Sequence, residues 1–171
     1  MELIFRKVDL FTALDIISWE YPPPYEIYTL HNSPLALVKL IDGCYYGAFE
    51  QDQLVGFFCF GPSAQLTTKR DHELYQDKDY LDIGLGLHPD YCGLGLGESF
   101  VRAGLKYARE QFWSGGFRLT VVSNNFRAIT VYKRVGFREI GKIVWSANLT
   151  GRFLVLTLND FEPSPIKKLS D

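Results

Sequence analysis

The sequence predicts a layered α/β domain built around a mixed sheet. Three observations carry this. Apolar segments that pair across short polar turns stand in both halves of the chain. Between them a strand pattern gives way to an amphipathic helix and then to another strand, which is a crossover. The chain's 171 residues, 47% hydrophobic and 22% charged, suffice for one domain with its own core.

The elements follow in order. MELIFRKV reads as a short strand. Asp9 then has the place and chemistry of an N-cap for a helix to about Trp19, with Leu10, Leu14 and Ile17 at helical spacing. In WEYPPPYEIYTL, Pro22, Pro23 and Pro24 forbid a continuous helix and favour an extended path. Ser33-Pro34 opens a helix through PLALVKLI as N-cap and first residue. CYYGAFE and LVGFFCF, joined by QDQ, form a hairpin. The polar stretch from Gly61 to Asp79 reads as a loop, and YLDIGLGL as the next strand. Val101, Leu105, Ala108 and Phe112 recur with helical period, so a helix runs from Glu98 to Phe112. FRLTVVS is a strand. A helix from Phe126 to Arg134 follows, ended by Gly136 as its left-handed cap. FREIGKIVW and RFLVLTL close the domain as a second hairpin, near residue 160, and residues 161–171 form a polar, proline-bearing tail.

Composition narrows the function. A formal net charge of -2 gives no sign of a nucleic-acid or anionic-membrane binder. No apolar run approaches the ~20 residues of a membrane span, and the start lacks the basic region of a signal peptide. Cys44, Cys59 and Cys92 are odd in number and lack metal-ligand spacing, so we expect no metal site and free thiols in a reducing cytoplasm.

The segment CGLGLG, residues 92–97, ends a strand and opens a helix. The first amides of a helix have no internal partners and sit at the positive end of its dipole. Gly93, Gly95 and Gly97 let phosphate oxygens approach those amides. A tight turn with close helix–sheet packing would leave the same signature. Gly97 is followed by Glu98 and Ser99 where a P-loop needs Gly-Lys-Ser/Thr. A dinucleotide fingerprint needs GxGxxG in the first βα unit, whereas GxGxG stands here after a hairpin.

A second block, SNNFRAITVYKRVGF, lies downstream. HPDYCGLGLG followed by NFRAITVYKRVGF resembles the GNAT family of N-acetyltransferases. The first block is similar to that family's pyrophosphate loop, Q/R-x-x-G-x-G/A. The second is similar to its N-x-R-A-x-x-x-Y-x-x-x-G-F element. Together they span about Leu81 to Phe137. The resemblance implies a single α/β (α+β) domain. Its central sheet would be mixed and mostly antiparallel, with six to seven strands flanked by helices, and its central strands would splay. It implies acetyl-CoA as co-substrate. A bulge in the strand before the loop would expose Leu85, Gly86 and Leu87 to the pantetheine, which pairs like an added strand. The pyrophosphate would lie on the amides of Gly93, Leu94, Gly95, Leu96, Gly97 and Glu98. Cys92 departs from the family's Gln or Arg, and Leu94 fills a slot often basic, so charge would come from Arg127 or Lys133.

Asn125 matches the asparagine that bonds the pantetheine arm, and is also a good N-cap. Tyr132, about two helical turns on, matches the tyrosine that protonates the departing thiolate. Alternatively it is a half-buried core residue. The amide of Leu87 would stabilise the oxyanion. Asp82 is the candidate base, or else a hydrogen-bonded strand carboxylate; many members of the family need no dedicated base. The acceptor side would draw on Trp19, Tyr21 and Tyr25, whose aromatic faces suit an apolar group or a cationic amine. The acceptor would be a small-molecule amine or a peptide amine. A non-catalytic acyl-CoA-binding module of the same fold is the competing reading. Dimers are frequent in the family, and a homodimer is neither required nor opposed by these residues.

Overall fold

The computed structural model describes residues 2–66, 69, 72–112, 115–144 and 151–159. The expected polar tail, residues 161–171, and the turn of the last hairpin lie outside them.

Strand β1 (Ile4–Lys7) leads to helix α1 (Leu10–Ser18), and α2 (Pro34–Asp42) follows. Both begin as their caps dictate. The Asp9 carboxylate accepts from the Thr12 amide at 2.8 Å, and Ser33 Oγ from the Ala36 amide at 3.3 Å. Strands β2 (Tyr45–Glu50) and β3 (Gln53–Phe60) form the hairpin, and β4 (Tyr80–Leu87) adds to it. Then come α3 (Gly97–Gln111), β5 (Gly116–Val122), α4 (Phe126–Val135), β6 (Arg138–Val144) and β7 (Arg152–Asn159). Gly136 caps α4 at φ 117°.

The seven strands form one sheet in the order β1-β2-β3-β4-β5-β7-β6. Every neighbouring pair is antiparallel except β4 and β5. Packing covers both faces. Phe58 and Phe60 from β3, with Leu119 and Val121 from β5, meet Phe100, Val101, Leu105 and Ala108 of α3, and Ile129, Tyr132 and Val135 of α4. Helices α1 and α2 pack Ala13, Ile16, Ile17 and Leu40 with Trp19 and Leu54 into a second, smaller core. Each large apolar side chain so buried stabilises the fold by ~1.5–3 kcal/mol. The segment read as a plain loop is more structured than its polarity predicts. It holds 3₁₀ turns at Gly61–Ala64 and Glu73–Tyr75, and the Tyr75 ring is fully buried with its hydroxyl 2.7 Å from Thr120 Oγ1.

One topological feature creates the site. β4 and β5 pair only over Tyr80–Asp82 and Gly116–Arg118. Beyond that, β4 keeps to β3 as far as Gly56↔Leu87, while β5 keeps to β7 as far as Val122↔Phe153. The sheet therefore opens into a wedge toward the carboxyl ends of the two strands. The expected bulge at Leu85–Leu87 is not there: the β3–β4 register runs unbroken from Phe60↔Ile83 to Gly56↔Leu87. Departure of β5, rather than a bulge, is what uncovers the edge of β4.

Candidate active site

The edge of β4 faces the wedge in a definite pattern. The His88 amide donates to the Val55 carbonyl at 2.9 Å, in register with the β3–β4 ladder. Hydrogen-bonded and non-hydrogen-bonded pairs alternate in an antiparallel ladder. Leu87 and Leu85 thus fall in non-hydrogen-bonded pairs, and their N–H and C=O groups point away from β3, into the gap. Gly86 between them points its α-hydrogens at the Phe57 ring, which a Cβ would meet at 2.5 Å. Its part is to admit that ring.

The glycine turn stands at the open end of the wedge. Gly93 and Gly95 adopt φ of 82° and 78°, a region open to few other residues, and a Cβ on either would meet no protein atom within 4 Å. The space above them is therefore open. At Gly97 a Cβ would meet Val131 at 3.0 Å, so its smallness lets α3 approach α4. No side chain caps the start of α3 at Leu96. Its first amides are thus available to an anion, in the dipole's favourable direction. Glu98, in that first turn, has its charge offset by Arg102 at 2.9 Å and 3.1 Å. Leu94 is exposed. Cys92 occupies the departing position as a half-buried thiol whose Sγ lies 3.6 Å from the Leu87 carbonyl. Burial raises its pKa, against a lowering by Arg127 nearby. Arg127 is thus the cation beside the turn, while Lys133 lies on the exposed side of α4.

Across the wedge, Asn125 caps α4. Its Oδ1 accepts from the Ala128 amide at 3.1 Å, and its Nδ2 donates to the Tyr28 hydroxyl at 2.9 Å. Tyr132, one helix face further on, is buried against Phe137, with the ring centroids 6.0 Å apart. Desolvation raises its pKa strongly, reinforced by Tyr28 close by. The phenol therefore stays protonated at neutral pH.

The acceptor-side residues divide. Tyr21 reaches the wedge and donates its hydroxyl to the Leu87 carbonyl at 2.9 Å. Tyr25 lies beneath Arg127, with the guanidinium carbon 4.2 Å from the ring centroid. Trp19 does not line the wedge: it is buried in the α1–α2 core, with Nε1 bonded to Asp15 at 2.9 Å and its ring edge-on to His88. Asp82 is placed elsewhere again. It sits at the closed end of the wedge, five residues before Leu87, or ~16 Å along a strand. Both carboxylate oxygens are held: Arg118 Nε at 2.6 Å, Arg118 Nη2 at 2.7 Å, and Gln65 Nε2 at 2.6 Å. Arg118 and Tyr28 complete these arrangements; the sequence shows Tyr28 among the aromatics around the prolines but gives it no role, and it does not single out Arg118. A lone arginine inside the apolar run FRLTVV, with a lone aspartate inside YLDIGLGL, was the available signal for the ion pair.

Among the described residues no group of three or more His, Cys, Asp or Glu is placed to hold a metal ion, and no helix is long and apolar enough to cross a membrane. The three cysteines are free.

The chain belongs to the acetyltransferase (GNAT) family, whose sequence model matches residues 10–137. No curated protein sequence matches it. Solved structures share its fold at low identity. A GNAT-family acetyltransferase from Bacillus anthracis superposes with a TM-score of 0.63 at 16% identity, over 92% of this chain and 94% of that one. The aminoglycoside acetyltransferase AAC(6')-Ib, solved with coenzyme A, gives 0.64 at 15%, over 93% and 95%. The ribosomal-protein-S5-alanine acetyltransferase from Vibrio fischeri gives 0.60 at 11%, over 95% and 96%.

Proposed function

We propose that this protein transfers the acetyl group of acetyl-CoA to a primary amine by direct attack. The observation that carries the reading is the open wedge between β4 and β5, with the Gly93–Gly95 turn and the uncapped start of α3 at its mouth. The turn fits a diphosphate. Its two positive-φ glycines present backbone without a Cβ, and the amides through Glu98 have no side-chain cap. Leu85 and Leu87 offer strand edges to the pantetheine arm, and Asn125 offers an amide on the opposite side.

Acetyl-CoA supplies a thioester whose acyl carbon is open to a neutral amine. The Leu87 N–H stabilises the charge that develops on the acyl oxygen. As the C–N bond forms and the C–S bond breaks, Tyr132 gives its proton to the leaving sulfur, a transfer its protonated state allows. The amine's proton returns to it through water. Asp82 has no part in this chemistry: it stays ion-paired to Arg118 and closes the base of the wedge. Tyr21 and Tyr25 stand on the acceptor side, and Tyr21 packs against the core cluster that holds Trp19. Relatives in this fold include an aminoglycoside acetyltransferase and a ribosomal-protein alanine acetyltransferase. The acceptor proposed here is accordingly a small-molecule or peptide amine.

Calorimetric titration with acetyl-CoA, followed by an amine panel, tests the reading. The expected result is saturable binding, turnover with at least one amine, and a Tyr132→Phe variant that binds normally but turns over ~10²-fold more slowly. Binding without turnover across the panel favours a non-catalytic coenzyme-binding module. No binding at all rejects both.

A further inference from the structure

Residues 21–28 cross the mouth of the wedge as a stiff segment. Three consecutive prolines and a 3₁₀ turn at Glu26–Tyr28 restrict it, and its ends are tied by the Tyr21 amide to Thr29 Oγ1 at 3.0 Å. Two phenols leave this segment for opposite lips. The Tyr21 hydroxyl donates to Leu87 on β4, and the Tyr28 hydroxyl accepts from Asn125 at the start of α4, both at 2.9 Å. Between them the rings meet edge to face, with centroids 6.3 Å apart. Tyr25 adds a tie to α4 through Arg127. Burial raises the pKa of both phenols, so both hydroxyls keep their protons across the physiological range.

We infer that Tyr21 and Tyr28 are positioning residues for the transfer: as a two-ended clip they hold the acceptor-side segment in register with Leu87 on one lip and Asn125 on the other. This rests on the acetyl-transfer reading above. The two anchors belong to residues assigned there to the acyl donor, Leu87 and Asn125. The clip therefore ties the wall that faces the amine directly to the groups that hold the thioester. A hydroxyl anchored on the Leu87 carbonyl fixes the wall within a residue of the Leu87 N–H. Misplacement of ~1 Å in such an arrangement lowers a rate by up to ~10²-fold.

Tyr21→Phe, Tyr28→Phe and the double variant remove only the hydroxyls and keep the rings. With an amine that the wild-type protein acetylates, each single variant is expected to lower kcat/KM for that amine by about tenfold. The acetyl-CoA Kd from calorimetry is expected to stay within about threefold. The double variant should lose little beyond the worse single one, because a clip open at one end is already open. Acceptor kcat/KM within about twofold of wild type in all three overturns the inference. So does a rise in the acetyl-CoA Kd that matches the loss of activity, which would mean the phenols merely shape the coenzyme site. A wild-type protein that binds acetyl-CoA yet acetylates no amine overturns the transferase reading itself, and the clip's role with it.

Discussion

Arg118→Met tests whether the base of the wedge is held by an ion pair. In the wild type the guanidinium spans four bonds. Two go to the Asp82 carboxylate, at 2.6 Å and 2.7 Å, and two to the carbonyls of Asp77 and Tyr75, at 3.0 Å and 3.3 Å. Its side chain is 2% exposed and that of Asp82 6%. The methionine fills much of the volume but leaves a buried carboxylate that keeps its hydrogen bond from Gln65 and has lost its counter-charge. Removing one member of a buried pair destabilises by ~3–5 kcal/mol. For a domain of this size that corresponds to a fall in Tm of about 8–16 °C. Asp82→Leu combined with Arg118→Met removes both charges and should recover most of the loss. Thermal unfolding followed by circular dichroism reads all three proteins. A Tm for Arg118→Met within about 2 °C of wild type refutes the reasoning. An Asp82→Asn variant that melts like wild type but has lost turnover would return Asp82 to the role of base.

Gly95→Ala places a methyl in the open space above the turn at a positive φ. It should lower stability by only ~1–2 kcal/mol while weakening acetyl-CoA binding by about tenfold or more in a calorimetric titration. Val131→Phe overfills the close contact that Gly97 permits between α3 and α4, so it should destabilise by ~1–3 kcal/mol in urea unfolding. Alkaline pH should unfold the protein. Burial and Tyr46 push Tyr107 up to about 12, burial pushes the Cys59 thiol up to about 12, and burial raises Tyr21, Tyr28, Tyr75 and Tyr132 as well. Groups whose folded pKa exceeds the unfolded value lend stability that is fully present below the unfolded pKa and lost as pH rises through the folded one. The urea midpoint should accordingly hold from about pH 7 to 9 and fall from about pH 10 to 12.

The sequence was most informative where local chemistry acts over a few residues. Asp9, Ser33 and Gly136 bound their helices as their side chains or lack of one predict, and Asn125 both caps α4 and faces the wedge. The two motif blocks carry the family in their residues, and both lie within the matched region 10–137. What remained hidden was set by pairing across the chain. The same three glycines serve two ends, since Gly93 and Gly95 need positive φ while Gly97 answers to Val131 on another helix. Asp82 read as a candidate base because its partner lies 36 residues away on β5. Trp19 read as a pocket residue because an aromatic beside a proline run gives no sign of which way it faces. Tyr28 gained meaning only when its hydroxyl was found on Asn125.

The most direct test is an amide NMR titration with acetyl-CoA. If the turn receives the diphosphate, the N–H signals of Gly93 through Glu98 shift strongly and saturate together, and pantetheine without its nucleotide leaves them in place. Saturable binding that leaves those signals unmoved contradicts the assignment.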